Sequence, residues 1–257
     1  MPDPWNLSEH GSNLRWRKSK NSYSQDKERR TETLGAFLDG PEPIQIYKKL
    51  RKHFGYLNWW PGETSFEVFV GAMLTQQTTW TNVEKAIANL KDSTSLDIKK
   101  IANMPLGKLE KLIKPSGFYR QKASRLKELS KRILKEHGTF NEMLSLDKQT
   151  LRKTLLSYNG IGKETADSII LYAANKPIFV IDAYTRRSMG RISKMDKNLE
   201  YDALRNYFES NIKKDLRLYK DFHAQFVQLG KNYCRSKPKC VDCPLNKMCE
   251  FGIKNAI

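Results

Sequence analysis

Four cysteines, Cys234, Cys240, Cys243 and Cys249, fall within one 16-residue stretch, and this 257-residue chain contains no others. Their spacing is C-x5-C-x2-C-x5-C. A loop so loaded can close on a single centre, because four sulfurs a few residues apart can surround one ion or cluster. The same stretch carries Arg235, Lys237, Lys239 and Lys247, so the loop is strongly cationic. A [4Fe–4S] cluster is the expected occupant. Structural zinc is the alternative, although four-cysteine zinc sites usually pair two separated C-x2-C knuckles and this chain has one. A pair of disulfides ranks last, since no signal peptide opens the chain and all four sites crowd together.

Charge points to the partner. Lys and Arg total 46 against 28 Asp and Glu, for a net charge of +18. Residues 1–42 balance seven basic against seven acidic side chains, so the whole excess belongs to residues 43–257. A folded unit that basic suits a polyanion, nucleic acid above all, with salt-sensitive binding. A well-solvated surface would show the same excess. No apolar run approaches the roughly 20 residues of a membrane span, so no membrane partner is expected.

Residues 1–42 are polar, lack apolar periodicity and read as a flexible tail, in which Arg15-Trp16-Arg17-Lys18 is a short basic patch. From Pro43 onward the apolar spacing is helical almost throughout. Ile44, Ile46, Tyr47, Leu50 and Phe54 mark a first helix; Phe66, Phe69, Val70, Met73 and Leu74 mark a second, capped at Thr64. Further stretches follow near 79–91, 95–103, 106–113, 120–136, 147–157, 163–174, 183–193, 199–212 and 215–232, with Gly and Pro between them. No useful β-alternation appears. The fold class expected is all-α, built of many short helices.

Two segments suggest chemistry. Leu156-Ser157-Tyr158-Asn159-Gly160-Ile161-Gly162-Lys163-Glu164-Thr165-Ala166 reads as helix, tight hairpin, helix. Gly160 and Gly162 permit unusual backbone angles and leave amides free at the next helix N-terminus, where a phosphate can sit without sequence being read. Some 20 residues later, Phe179-Val180-Ile181 runs into Asp182 at the head of another helix. An acid there is ordinarily an N-cap.

Hairpin, following acid and four-cysteine loop, in that order, resemble the helix–hairpin–helix DNA glycosylases, in the endonuclease III-like branch with a C-terminal iron–sulfur loop. The resemblance covers roughly residues 43–250. It implies two helical domains: residues 65–182 as a helical barrel with the hairpin, and 43–64 with 183–257 as the cluster domain. It makes Asp182 the catalytic residue and damaged double-stranded DNA the partner of a monomeric, intracellular, DNA-associated protein. Leu74-Thr75-Gln76-Gln77-Thr78 matches the segment that probes the duplex beside an extruded base, with Gln77 the wedge beside Gln76. Gly160, Gly162, Lys163, Arg235, Lys237 and Lys239 complete the implied DNA contacts.

The nearest likeness within the branch is to the endonuclease III-like 3-methyladenine DNA glycosylases. It rests on Trp59-Trp60-Pro61, on Met73 to Trp80, on Pro115 to Ala123 and on Gly160 to Asp167. It implies a slot for the flipped base with Trp59 and Trp80 as its faces and Trp60 and Pro61 shaping the wall. A cationic base needs little help to leave and is drawn to indole faces. Read without the resemblance, three tryptophans are core packing.

Three departures matter. Bifunctional relatives carry a nucleophilic Lys two residues after the second hairpin glycine, where this chain has Glu164. Lys163, one step earlier, points about 100° away on a helix, and a carboxylate forms no Schiff base. A monofunctional glycosylase is therefore implied. Some relatives place a functional Lys after a Phe-His-Gly segment, but Phe222-His223-Ala224 is followed by Gln225, and His223 reads as packing. The first cysteine gap is five residues where six is usual. The alternatives are a glycosylase for deaminated or mismatched bases (uracil, hypoxanthine, thymine opposite guanine) and a non-catalytic DNA-binding iron–sulfur protein.

Overall fold

The computed structural model describes residues 40–57, 59, 62–193, 195 and 199–255. The Arg15–Lys18 patch, Trp60 and Pro61 lie outside the described residues. Among the described residues all regular structure is helical, as the apolar spacing predicts. The helices are α1 (Pro43–Phe54), α2 (Ser65–Leu74), α3 (Trp80–Thr94), α4 (Ile98–Asn103), α5 (Leu106–Ile113), α6 (Tyr119–His137), α7 (Phe140–Ser145), α8 (Lys148–Leu156), α9 (Lys163–Ser168), α10 (Ala183–Ile192), α11 (Tyr201–Asn211), α12 (Leu216–Asn232) and α13 (Glu250–Asn255).

Many of these helices start where a side chain satisfies an otherwise orphaned amide. Thr64, Asp97, Thr139, Asp147, Asp182 and Asp215 each accept a hydrogen bond from the first turn they precede. Two six-residue helices, α7 and α13, escape the periodicity reading because less than two turns cannot establish a 3.6-residue period. The Thr139-x-x-Glu142 cap signature announces α7 all the same.

The stretch expected as one helix over 163–174 changes pitch midway. After α9 the chain widens into a π-helical segment, Ile169–Ala173, fully buried, with Ala174 N–H reaching Ile169 O at 3.0 Å. Such widened turns recur at functional sites, and this one carries Tyr172.

The apolar run before Asp182 is extended, yet it pairs with no strand. Side chains of α11 and its start take its amides instead: Phe179 N–H donates to Glu209 Oε1 at 2.8 Å and Ile181 N–H to the Tyr201 hydroxyl Oη at 3.3 Å. Buried backbone donors are thereby satisfied without a ladder. Phe179 stacks on Phe208 at 4.3 Å, and Phe222 and Phe226 extend the aromatic packing along α12. Asp182 is thus delivered to a fixed point by a rigid, dry segment.

Buried charge ties α8, α9 and α11 together. Arg152 meets the fully buried Asp167 at 2.6 Å and Asp202 at 2.7 Å, and Arg205 reaches Asp167 at 3.5 Å. Burial raises the Asp167 pKa, against the opposing pull of Arg152 and Arg205.

Candidate functional site

A cavity of about 1120 Å³ opens between the hairpin, the start of α3, the head of α10 and the middle of α12. Trp59, Trp80, Glu164, Tyr172, Asp182 and His223 line it. The segment bearing Trp59 is pinned from α12: Leu57 N–H donates to Asp221 Oδ1 at 3.0 Å, and Gln225 Nε2 donates to Gly55 O at 2.8 Å. Gln225, at the position of the relatives' lysine, is therefore a buried strut rather than a cavity group. Trp80 opens α3, lies over Gly71 of α2, and donates its Nε1–H to Glu84 at 2.9 Å.

Asp182 is the N-cap of α10. Its Oδ1 accepts Thr185 N–H at 2.7 Å, and its Oδ2 lies 3.5 Å from His223 Nε2. Burial alone would raise its pKa, but His223 and the Thr185 amide outweigh that and hold the carboxyl below its ordinary value. His223, read from sequence as packing, is indeed only 5% exposed, yet it stands against Asp182. Its Nδ1 is 2.7 Å from the Tyr172 hydroxyl. Burial, then Asp182 and Asp221, keep the Tyr172 phenol well above 10, so it stays protonated as a donor. The same hydroxyl also donates to Lys220 O at 3.3 Å, which ties the pair to the backbone of α12. Trp59 closes the group edge-on to Tyr172 at 5.6 Å.

Glu164, in the first turn of α9, faces the same cavity and has no hydrogen bond or ion pair among the described residues. Its pKa is raised to about 7, first by the protein packed round it and then by Asp182. Solvent filling the cavity still touches it. Lys163 points elsewhere, as helical geometry predicts: its Nζ is 2.7 Å from Asp202 and 3.5 Å from Glu200. The lysine expected to meet a phosphate is thus already paired.

The two hairpin glycines differ. Gly160 has φ +86°, a left-handed conformation that side chains resist. Gly162 takes φ −88° and ψ 178°, open to any residue, and a Cβ there would meet nothing within 4 Å. Its role is clear space before the α9 amides. Gln76 turns inward, donating to Gly160 O at 3.0 Å, whereas Gln77 is exposed on left-handed backbone at φ 56°.

A second exposed side chain shares that strain. Phe118, in the turn entering α6, has φ 46° and is 63% exposed. Buried Lys122 joins the two turns, donating to Leu74 O at 2.9 Å and to Ser116 O at 2.7 Å. The sequence reading held both within the matched stretch Pro115 to Ala123 but gave neither a role. An aromatic directly after a turn glycine was the available signal for Phe118; no local pattern showed that Lys122 turns inward.

The far end of α10 holds the cysteine loop. Arg187 Nε donates to Cys234 O at 2.7 Å, and Arg191 Nη1 donates to Arg235 O at 2.6 Å and lies 3.3 Å from Cys234 Sγ. Gly252 N–H points at Cys249 Sγ at 3.3 Å. Burial first, and the neighbouring sulfurs with it, raise the Cys240, Cys243 and Cys249 thiols, Cys243 to about 11. Four coupled sulfurs with donors aimed at two of them suit the chemistry of a tetrathiolate centre. Among the described residues, however, no three His, Cys, Asp or Glu side chains converge as a metal site. Arg235, Lys237 and Lys239 are exposed around the loop.

Residues 70–214 match the HhH-GPD superfamily base excision DNA repair protein. A Methanocaldococcus jannaschii protein, provisionally assigned as a DNA repair glycosylase, is 49% identical over 207 residues, 80% of this chain and 94% of its own. The structure of an H. pylori 3-methyladenine DNA glycosylase bound to 1,N6-ethenoadenine aligns with a TM-score of 0.66 at 33% identity, over 74% of this chain and 98% of that one. Endonuclease III in a non-covalent DNA complex aligns with a TM-score of 0.72 at 22% identity, over 83% of this chain and 98% of that one, a likeness of fold.

Proposed function

This chain belongs to the HhH-GPD superfamily and is a DNA repair glycosylase, and from that premise we propose that it excises alkylated purines of the 3-methyladenine type by hydrolysis, without cutting the strand. One observation carries the reading: Asp182, Trp59 and Trp80 line a single cavity in which Glu164 stands where bifunctional relatives have lysine. The likeness to a 3-methyladenine glycosylase supports it.

In this reading the damaged nucleotide leaves the stack at a cost of a few kcal/mol, least where pairing is already weak. Its cationic ring enters between Trp59 and Trp80, each indole contributing about 2 kcal/mol once water is excluded. Trp60 and Pro61 would complete the wall. The Asp182 carboxylate, kept ionised by Thr185 and His223, faces the sugar as positive charge grows at C1′ and orients the water that captures it. Glu164 offers no amine, so no covalent enzyme–sugar bond forms and the abasic strand stays whole.

The duplex would be held by backbone amides beyond Gly160 and Gly162, by Gln77 at the vacated stack with Gln76 bracing the hairpin, and by Arg235, Lys237 and Lys239. Lys163 would reach a phosphate only by leaving Asp202. Cys234, Cys240, Cys243 and Cys249 would hold a [4Fe–4S] cluster, which when bound fixes the fold of that cationic loop. The protein would act as a monomer wherever the cell keeps its DNA. No described helix is long and apolar enough to cross a membrane.

The test is release of free bases from methylated duplex DNA by the wild type and Asp182→Asn, with nicks scored before and after alkali. Release of 3-methyladenine that the variant loses, with nicks only after alkali, is the expected result. Release undiminished in Asp182→Asn, or nicks before alkali, would overturn the mechanism.

A further inference from the structure

The cavity holds two carboxylates in opposite circumstances. Asp182 receives Thr185 N–H at 2.7 Å and has His223 at 3.5 Å. Glu164, across the same space, receives no hydrogen bond from the described residues. When two acids share a pocket and only one is supplied with donors, the supplied one stays ionised and the other keeps its proton.

We propose that Glu164 is the acid that protonates the departing base, which extends the substrates of this site from cationic alkylpurines to neutral purine lesions. This rests on the glycosylase reading of Asp182 given above. Packing round it, then Asp182, raise its carboxyl to about 7 against the opposing pull of His223 and Arg186, although the side chain is exposed to the solvent of the open cavity. Tyr172, Tyr184, Arg125, Arg187 and Lys231 are the other titratable or charged groups lining the cavity. A base filling the cavity removes water from Glu164 and favours its neutral form further.

The chemistry requires such a group only for some bases. A 3-methylated adenine already carries its positive charge and departs neutral. Hypoxanthine or 1,N6-ethenoadenine would depart as an anion unless a ring nitrogen is protonated. Here the Glu164 O–H gives its proton to that nitrogen as the C1′–N9 bond breaks, and the bonding pair stays with the base, which leaves neutral. Asp182 faces the cationic sugar, water oxygen bonds to C1′, and the proton that water loses passes through Asp182 to solvent. Glu164 regains a proton from solvent, so the sum is hydrolysis.

Single-turnover release of hypoxanthine, 1,N6-ethenoadenine and 3-methyladenine from otherwise identical duplexes tests this, between about pH 5.5 and 8.5, for wild type, Glu164→Gln and Glu164→Asp. Duplex affinity, measured alongside, confirms that each variant is folded. Neutral-base release should fall about tenfold per pH unit above about 7, and Glu164→Gln should lower it about 100-fold more than it lowers 3-methyladenine release, with Glu164→Asp recovering part. Equal losses for both classes would overturn the proposal. So would 3-methyladenine release that climbs through pH 7 and suffers most in Glu164→Gln, the mark of an ionised Glu164 attracting a cation. Release of 3-methyladenine with neither neutral base overturns the proposal and leaves the alkylpurine reading intact. Neutral bases alone, lost in Glu164→Gln, support the acid and overturn the alkylpurine assignment. No base of either class fails both.

Discussion

Asp182 and Glu164 respond to pH in opposite senses, and their effect on stability separates accordingly. Asp182 has a lowered pKa in the folded state, so its contribution is present above the ordinary carboxylate value and lost as pH falls. Glu164 is raised from 4.5 to about 7, so its contribution is full below 4.5 and lost as pH rises through 7. Glu164→Gln should therefore melt no higher than wild type near pH 4, and above it by a margin that grows until about pH 7. Parallel melting curves across that window would mean that the cavity leaves Glu164 unperturbed. Gly160 makes a separate demand. At φ +86°, with Arg125 Cδ 2.8 Å from where a Cβ would stand, Gly160→Ala should cost about 1–2 kcal/mol in urea unfolding. A smaller loss would show that the hairpin relaxes.

Among the elements, α9 does two jobs from adjacent positions. Glu164 turns to the cavity, while Lys163 and Asp167 turn to α8 and α11. Asp167 is fully buried between Arg152 and Arg205, so its removal strands guanidinium charge out of water. Asp167→Ala should destabilise by about 3 kcal/mol, the low end for a broken buried pair because Arg152 keeps Asp202 at 2.7 Å. Chemical denaturation measures it, and a loss below about 1 kcal/mol would show the network to be incidental. Helix α10 also joins two functions. Asp182 caps its start, and Arg187 and Arg191 hold the cysteine loop near its end, so the order of that loop bears on the cavity through one rigid helix.

For the whole molecule the governing quantity is the +18 charge, carried by residues 43–257. Arg235, Lys237 and Lys239 are exposed together beside the loop. If each neutralises a phosphate, replacing Lys237 and Lys239 by Ala should flatten the slope of log affinity against log salt by about 0.9 per residue, similarly for damaged and undamaged duplexes. An unchanged slope would remove the loop from the DNA interface.

The sequence by itself determined the helices, because a 3.6-residue apolar period repeated over two or more turns is a local property. It also determined the acid at the head of α10 and the order of hairpin, acid and cysteines. The short α7 and α13 and the π-helical stretch around Tyr172 were beyond that reading, since none of them leaves a period of its own to detect. Only the tertiary structure decided which polar residues meet. Nothing in Phe222-His223-Ala224 tells that His223 stands beside an aspartate 41 positions earlier, nor that Lys163 is spent on Asp202 while its neighbour Glu164 has no donor among the described residues. A side chain's charge state depends on burial and on partners distant in the chain, and those exist only once the helices have packed.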